Sequence, residues 1–311
     1  MSMPKLFEGR LSLPVIASPL FIISHPELVI AECRAGVVGS FPSLNARPSG
    51  TFEDWLKRLR RELTDADAPF AVNLIVHRTN ERLEEDLALC VKYQVPIVIT
   101  SLGARPDLNE AVHSYGGLVF HDVINNVFAH KAIEKGADGL VAVAAGAGGH
   151  AGTISPFALV PEIRSWFDGP LALSGSISTG GAVAAARALG ADFGYVGSAF
   201  IATEEANAAP GYKQMIVDST AADIVYSNLF TGVHGNYLKP SIVAAGLDPE
   251  ALAVSDASKM DFGASRDGKK AWRDIWGCGQ GIGAVDKVVP AAELVARLTR
   301  EYHAALERLA S

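Results

Sequence analysis

The sequence predicts a (β/α)8 barrel, and three observations carry that reading. Short apolar runs alternate eight times with longer amphipathic stretches, the pattern of βα units around a parallel sheet. The runs are continuously apolar rather than alternating, as parallel strands covered on both faces require. The glycine-rich turns come late in the chain, and the first turn, Ala17-Ser-Pro-Leu20, lacks the G-x-G-x-x-G of an open doubly wound nucleotide-binding sheet. A length of 311 residues suits one elaborated barrel, which takes about 250 residues before insertions.

The elements follow in order. Pro14–Ser18 is the first run, and Pro26 marks the start of a helix because proline is tolerated in a helical first turn. Gly36–Ser40 is the second run, followed by a charged helix over Thr51–Leu63. Phe70–Leu74 is the third, with a helix from Glu81 to Lys92. Pro96–Thr100 is the fourth, with a helix from Pro106 to Ser114. Leu118–His121 is the fifth, with a helix from Asn125 to Lys135. Asp138–Val143 is the sixth, with a helix from Phe157 to Trp166. Leu171–Ser174 is the seventh, with a helix from Thr179 to Leu189, and Phe193–Gly197 is the eighth. After Thr203 the rhythm stops. Residues 206–279, with the extended Val233–Leu238, read as a cap over the barrel mouth; residues 1–205 and 280–311 form the barrel. A helix over Pro290–Leu309 returns to the barrel wall.

Composition narrows the function classes. The net charge of −7 argues against a nucleic-acid surface. Cys33, Cys90 and Cys278 are odd in number and far apart, which gives neither a disulfide framework nor a zinc spacing. The N-terminal MSMPKLFEGR lacks a signal-peptide pattern, and no apolar run is long enough to span a bilayer. The expectation is a soluble cytoplasmic protein with no membrane partner and no metal.

Barrel function sits on the loops leaving the C-terminal strand ends. The turn after strand seven, Ser174-Gly-Ser-Ile-Ser-Thr-Gly-Gly181, and the turn after strand eight, Gly197-Ser-Ala-Phe200, combine glycine with hydroxyl side chains. One such turn is merely tight; two at these positions point to phosphate, because glycine lets N–H groups approach its oxygens. Loop six, Ala144-Ala-Gly-Ala-Gly-Gly-His-Ala-Gly152, places one imidazole in a run with almost no other side chain. That arrangement lets a flat ligand lie close to the backbone, with His150 as an acid or base, against the simpler reading of a turn cap. His121 and Asp122 end strand five, where His121 is either a ligand contact or a packed mouth residue. Asn73 ends strand three, and its amide suits the polar edge of a flavin or purine, or a loop-ordering bond. His234 is a weaker candidate in the cap. Trp276–Gly283 is either a linker or, through Gln280, a cofactor contact. No H-E-x-x-H, G-x-S-x-G or Walker pattern occurs.

Taken in order, Pro14-Val-Ile-Ala-Ser-Pro-Leu20, Phe70-Ala-Val-Asn-Leu74, Ala147-Gly-Gly-His-Ala-Gly152, Leu173-Ser-Gly-Ser176, Gly190-Ala-Asp192 through Gly197-Ser198, and Gly279-Gln280-Gly281 resemble the nitronate monooxygenase family. The resemblance spans nearly the whole chain, and its members are FMN-dependent barrels with a cap. It implies that Ala17, Ser18, Pro19 and Asn73 lie along the isoalloxazine and ribityl chain, with His121 and Gly149 near the flavin. It implies that Ser174, Gly175, Ser176, Gly197 and Ser198 hold the phosphate. His150 would be the active-site histidine and Gln280 would approach from the C-terminal loop. The seventh turn departs from the family, reading Ser-Gly-Ser-Ile where many relatives read Gly-Gly-Ile; backbone N–H groups survive that change.

The implied reaction is oxidation of alkyl nitronates by FMN with O2 as second substrate, giving a carbonyl compound and nitrite. The alternatives are an NAD(P)H-dependent flavin reductase of the enoyl-acyl-carrier-protein or quinone type, a flavin-free sugar-phosphate isomerase, and a non-catalytic ligand-binding barrel. A small-molecule substrate is expected in each enzyme case, and a homodimer is the assembly kept open.

Overall fold

The computed structural model describes residues 4–254 and 275–311. Eight parallel strands make the main sheet: β1 (Val15–Ala17), β2 (Gly39–Pro42), β3 (Phe70–Ile75), β4 (Ile97–Ser101), β5 (Leu118–Val123), β6 (Gly139–Val143), then, past the two-residue β7 (Gly149–His150), β8 (Leu171–Ser174) and β9 (Phe193–Val196). Their order is β1-β9-β8-β6-β5-β4-β3-β2. Ala17 N–H donates to Val38 O at 2.8 Å and Val38 N–H to Val15 O at 3.0 Å, so the two ends meet and the sheet closes.

Helices α1 (Pro26–Arg34), α2 (Thr51–Glu62), α3 (Leu83–Lys92), α4 (Pro106–His113), α5 (Asn126–Glu134), α6 (Pro156–Arg164) and α7 (Gly180–Leu189) follow successive strands of the main sheet, and the short α8 (Ser198–Ile201) follows β9. Their starts are chemically marked. Proline stands in the first turn of α1, α4 and α6. Asn125 accepts from Phe128 N at 2.9 Å and Thr179 from Ala182 N at 3.1 Å, which satisfies otherwise unpaired donors of α5 and α7.

Alternation along the strands divides the core. Ile16, Val38, Ala71, Ile97, Ile99, Phe120, Val141, Ala172, Phe193 and Tyr195 form one cluster that fills the lumen. Phe7, from the N-terminal turn Lys5–Phe7, joins them with its ring 5.0 Å from that of Phe193. The neighbouring strand positions, such as Val98, Val119 and Leu140, pack under the helices. The final helix, α11 (Ala291–Ala310), seals the wall against α7: a Cβ on Gly180 would lie 2.0 Å from Leu298 O, and Glu301 accepts from Gly180 N at 2.8 Å.

Between the eighth strand and that helix the described chain carries α9 (Pro210–Asp218), β10 (Ile224–Ser227), β11 (Gly235–Leu238) and α10 (Lys239–Ala244). Tyr237, Ile242 and Ile275 make a small core of their own there. Residues 255–274 of the region read as a cap lie outside the described residues.

The structure departs from the sequence reading in three places. The second strand is Gly39–Pro42 rather than Gly36–Ser40, because Gly36 takes φ +89° in the turn that ends α1. The fifth strand runs on to Val123, which puts His121 and Asp122 inside it. Part of the glycine-rich loop six is a strand: β7 pairs antiparallel with β11, and β11 with β10. That pairing joins residues far apart in sequence, so no local pattern announces it.

Phe193 is fully buried between Phe7 and Phe120. Replacing it with alanine leaves a void in the lumen, and Phe193→Ala is expected to lower unfolding stability by about 3–5 kcal/mol, read from the urea midpoint.

Candidate active site

A cavity of about 1020 Å³ opens where the barrel strands end. Ser18 after β1, Pro42 on β2, Asn73 on β3, Ser101 on β4, Asp122 on β5, Val143 on β6, Ser174 on β8 and Gly197 after β9 all line it. Its volume is at the upper end of ordinary ligand pockets, roughly 300–1,000 Å³.

One carbonyl ties the cavity's glycine loops together. Gly146 O accepts from Ser176 N at 3.3 Å and from Gln280 N at 2.9 Å, which joins loop six to the turn after β8 and to the C-terminal loop. Gly279 N donates to Ser198 Oγ at 2.8 Å, bringing in the turn after β9. Side chains are excluded where these loops cross. A Cβ on Gly146 would meet Ser176 Oγ at 2.1 Å, and one on Gly279 would meet Gly146 O at 2.8 Å. Gly175 adopts φ +140° and Ser176 φ +58° in a turn that lines the cavity.

His150 is held by β11. Its strand β7 pairs Gly149 with Asn236 and His150 with Gly235. Ala151 N donates to His234 O at 3.2 Å, Tyr226 OH to Ala151 O at 3.0 Å, and Asn236 Nδ2 to Ala147 O at 2.6 Å. The ring Nε2 lies 3.1 Å from Thr231 Oγ1. Burial pushes the imidazole pKa down to about 4, so the ring is neutral at pH 7.

The cavity floor is polar. Asn73 Nδ2 donates to Ile99 O at 3.0 Å and to Ser101 Oγ at 2.7 Å; Ser101 Oγ donates to Asp122 Oδ2 at 2.7 Å. Asp122 Oδ1 and the Tyr195 hydroxyl are enclosed without a hydrogen-bond partner. Burial pushes the Asp122 carboxyl up to about 6, against the hydrogen bond from Ser101 that favours its charge.

Ser18, Pro19, Asn73, His121, Gly149, His150, Ser174, Gly175, Ser176, Gly197 and Ser198 all line this one cavity, as does His234. Ala17 and Gln280 do not. Ala17 is fully buried in β1, and Gln280 is solvent-exposed, with its main-chain N–H fixing the loop. His121 stands apart from the floor. Alternation sends Phe120 and Asp122 to the lumen and His121 to the helix side, where its Nδ1 lies 2.6 Å from Thr100 Oγ1. It lines the cavity, as do Leu102, Phe128, Lys131 and Lys135. Burial, with Lys135 nearby, lowers its pKa to about 4. Sequence reasoning misses Ser101, Asp122 and Tyr195 as cavity residues. The available signal is parity: two residues beyond a lumen-facing Phe120 is Asp122. Tyr226, stacked on His234 at 5.0 Å, and Trp276, stacked on Tyr212 at 4.7 Å, also line the cavity.

A family model described as nitronate monooxygenase matches residues 6–301. The chain belongs to the nitronate monooxygenase family. It is therefore an oxidoreductase, of a family that is flavin-dependent in general. A nitronate monooxygenase of Paraburkholderia phytofirmans is 27% identical, the match covering 95% of this chain and 94% of the relative. One from Pseudomonas aeruginosa is 27% identical over 93% of this chain and 95% of its own. Among solved structures, a nitroalkane oxidase from Streptomyces ansochromogenes has the same fold with a TM-score of 0.80 at 24% identity, covering 98% of this chain and 100% of that one. Among the described residues no helix is long and apolar enough to cross a membrane, and no side-chain cluster suits a metal ion.

The raised Asp122 pKa has a stability consequence of definite sign. The folded chain binds this proton more tightly than the unfolded chain, whose aspartates titrate at about 3.9. Burying the ionised form therefore opposes folding above about pH 6, and the penalty fades as pH falls towards 4. Asp122→Asn is expected to exceed the parent chain in stability by about 1–3 kcal/mol at pH 7.5 and to match it at pH 4. Urea midpoints at the two pH values check this.

Proposed function

We propose that this family member binds FMN in the cavity and oxidises alkyl nitronates, with O2 as second substrate, to a carbonyl compound and nitrite. The observation that carries the reading is His150. It is a neutral imidazole held by β pairing with the cap, and it lines the same cavity as two glycine–serine turns.

The residues present fit the phosphate end of such a cofactor. Gly175, Gly197 and Ser198 would hold it through main-chain N–H groups, with the hydroxyls of Ser174 and Ser176 beside them. Ser18, beside Gly197, and Pro19 and Asn73 line the same cavity and would hold the ring system. When bound, the flavin supplies the two-electron chemistry that no side chain here offers.

His150 does the proton work. Kept neutral at pH 7, it can remove the carbon-bound proton of a neutral nitroalkane, and it offers a preformed nitronate a hydrogen bond rather than a counter-charge. Pairing of Gly149 and His150 with β11 fixes where the ring stands, and Thr231 Oγ1 steadies its Nε2 edge. Tyr226, His234 and Trp276 wall the cavity on the cap side and limit water at the reacting carbon. The region 206–279 is in this reading a cap that shapes the substrate pocket. The enzyme would work in the cytoplasm, where buried Cys33, Cys90 and Cys278 stay free thiols.

An anaerobic mix of the purified protein with propyl-2-nitronate is expected to bleach the flavin spectrum, while NADH leaves it unchanged. Bleaching by NADH alone would move the protein to the reductases. His150→Asn is expected to lower turnover of nitroethane by about 10²–10⁴-fold with FMN still bound at one per chain. In the parent enzyme the His150 limb of kcat/KM should fall towards pH 4, where His150 takes a proton, and any inflection near 6 should be that of Asp122 and vanish in Asp122→Asn. An acidic limb centred near 6.5 that persists in that variant would contradict the neutral histidine.

A further inference from the structure

The buried chain Asn73–Ser101–Asp122 runs in one direction only. Ile99 O is an acceptor, so the Asn73 group 3.0 Å from it must be the amide nitrogen. The second amide hydrogen goes to Ser101 Oγ at 2.7 Å. Ser101 has a single hydroxyl proton, and it goes to Asp122 Oδ2 at 2.7 Å. Were the Asn73 amide turned over, its oxygen would face the Ile99 carbonyl, acceptor against acceptor. Both donors of Asn73 are thus spent on the protein. What remains for the cavity is the carbonyl oxygen Oδ1.

We infer that Asp122, acting through Ser101, is a positioning residue that locks Asn73 as a pure acceptor for an imide-type N–H on the bound ligand. On the cofactor reading above, on which this rests, the ligand group is the N–H of the flavin pyrimidine ring. That edge alternates carbonyl, N–H, carbonyl. The floor offers matching chemistry, because the Asn73 oxygen accepts. Asp122 is the only carboxylate among the described lining residues. Its burial is costly, and the hydrogen bond from Ser101 is what favours keeping it ionised. A carboxylate in that position makes sense as the anchor that fixes the direction of the whole chain. Ser101 and Asp122 touch no ligand in this scheme. They set which face of an amide the ligand meets.

The test uses the full chain stripped of flavin and titrated with FMN and with 3-methyl-FMN, which lacks the N–H, by fluorescence quenching. The parent chain is expected to prefer FMN strongly. Ser101→Ala and Asp122→Ala are each expected to weaken FMN binding by about tenfold and to bring the two affinities closer, because the amide then keeps only its hydrogen bond to Ile99 O. Ser101→Thr, which keeps the hydroxyl, is expected to restore the preference. A merely structural role would weaken both ligands equally and leave their ratio at the parent value. That ratio, unchanged in both alanine variants with native circular dichroism, would overturn the inference while leaving the cofactor reading intact. Failure of the parent chain to bind FMN at all would overturn the cofactor reading and this inference together.

Discussion

Two main-chain hydrogen bonds, Ala17 to Val38 and Val38 to Val15, turn an eight-stranded sheet into a closed tube. Closure removes both sheet edges and brings every strand to a common rim. Everything functional depends on that. Ser18 and Gly197 sit side by side because β1 and β9 are neighbours, although almost the whole barrel separates them in the chain. A lumen packed with Phe7, Phe120 and Phe193 makes the floor below the rim solid, so that the polar groups one layer up face the cavity and little else.

The site combines two kinds of rigidity. On the side of β8 and β9 it is made of backbone: Gly146, Gly279 and the turn at Gly175 cross so closely that side chains are excluded. On the side of β3 to β5 it is made of side chains whose hydrogen-bond directions are settled by carbonyls and a carboxylate. His150 belongs to neither. It stands on a strand that β11 completes, and this is how an imidazole in a glycine tract acquires a defined place.

Much of the fold is legible in the sequence because apolar runs and helix starts are local signals. Leu171–Ser174 and the proline-marked α1, α4 and α6 can be placed almost to the residue. The late glycine turns and His150 are legible as a site for a related reason: a strand end made of small residues brings backbone, rather than side chains, to the barrel mouth. Three things are not legible. The pairing of β7 with β11 joins distant segments and leaves no local trace. The split between His121 and Asp122 depends on which face of a doubly buried strand is the lumen, and a continuously apolar run hides that parity. Asp122, half of a two-residue motif, is overshadowed by its neighbour because histidine suggests chemistry and a lone buried aspartate does not. Gln280 draws attention through its side chain, whereas the fold uses its main-chain N–H.

The two-residue strand under His150 also bears on how this enzyme can diversify. Side chains point to opposite faces at successive strand positions, so residues of β10 and β11 can be exchanged without moving the histidine, as long as the ladder keeps its register. Length changes are different. A single residue inserted between Gly149 and His150 would turn the imidazole to the far side of the sheet. Substrate range in such a scaffold is therefore free to drift by substitution and closed to drift by insertion at that one point.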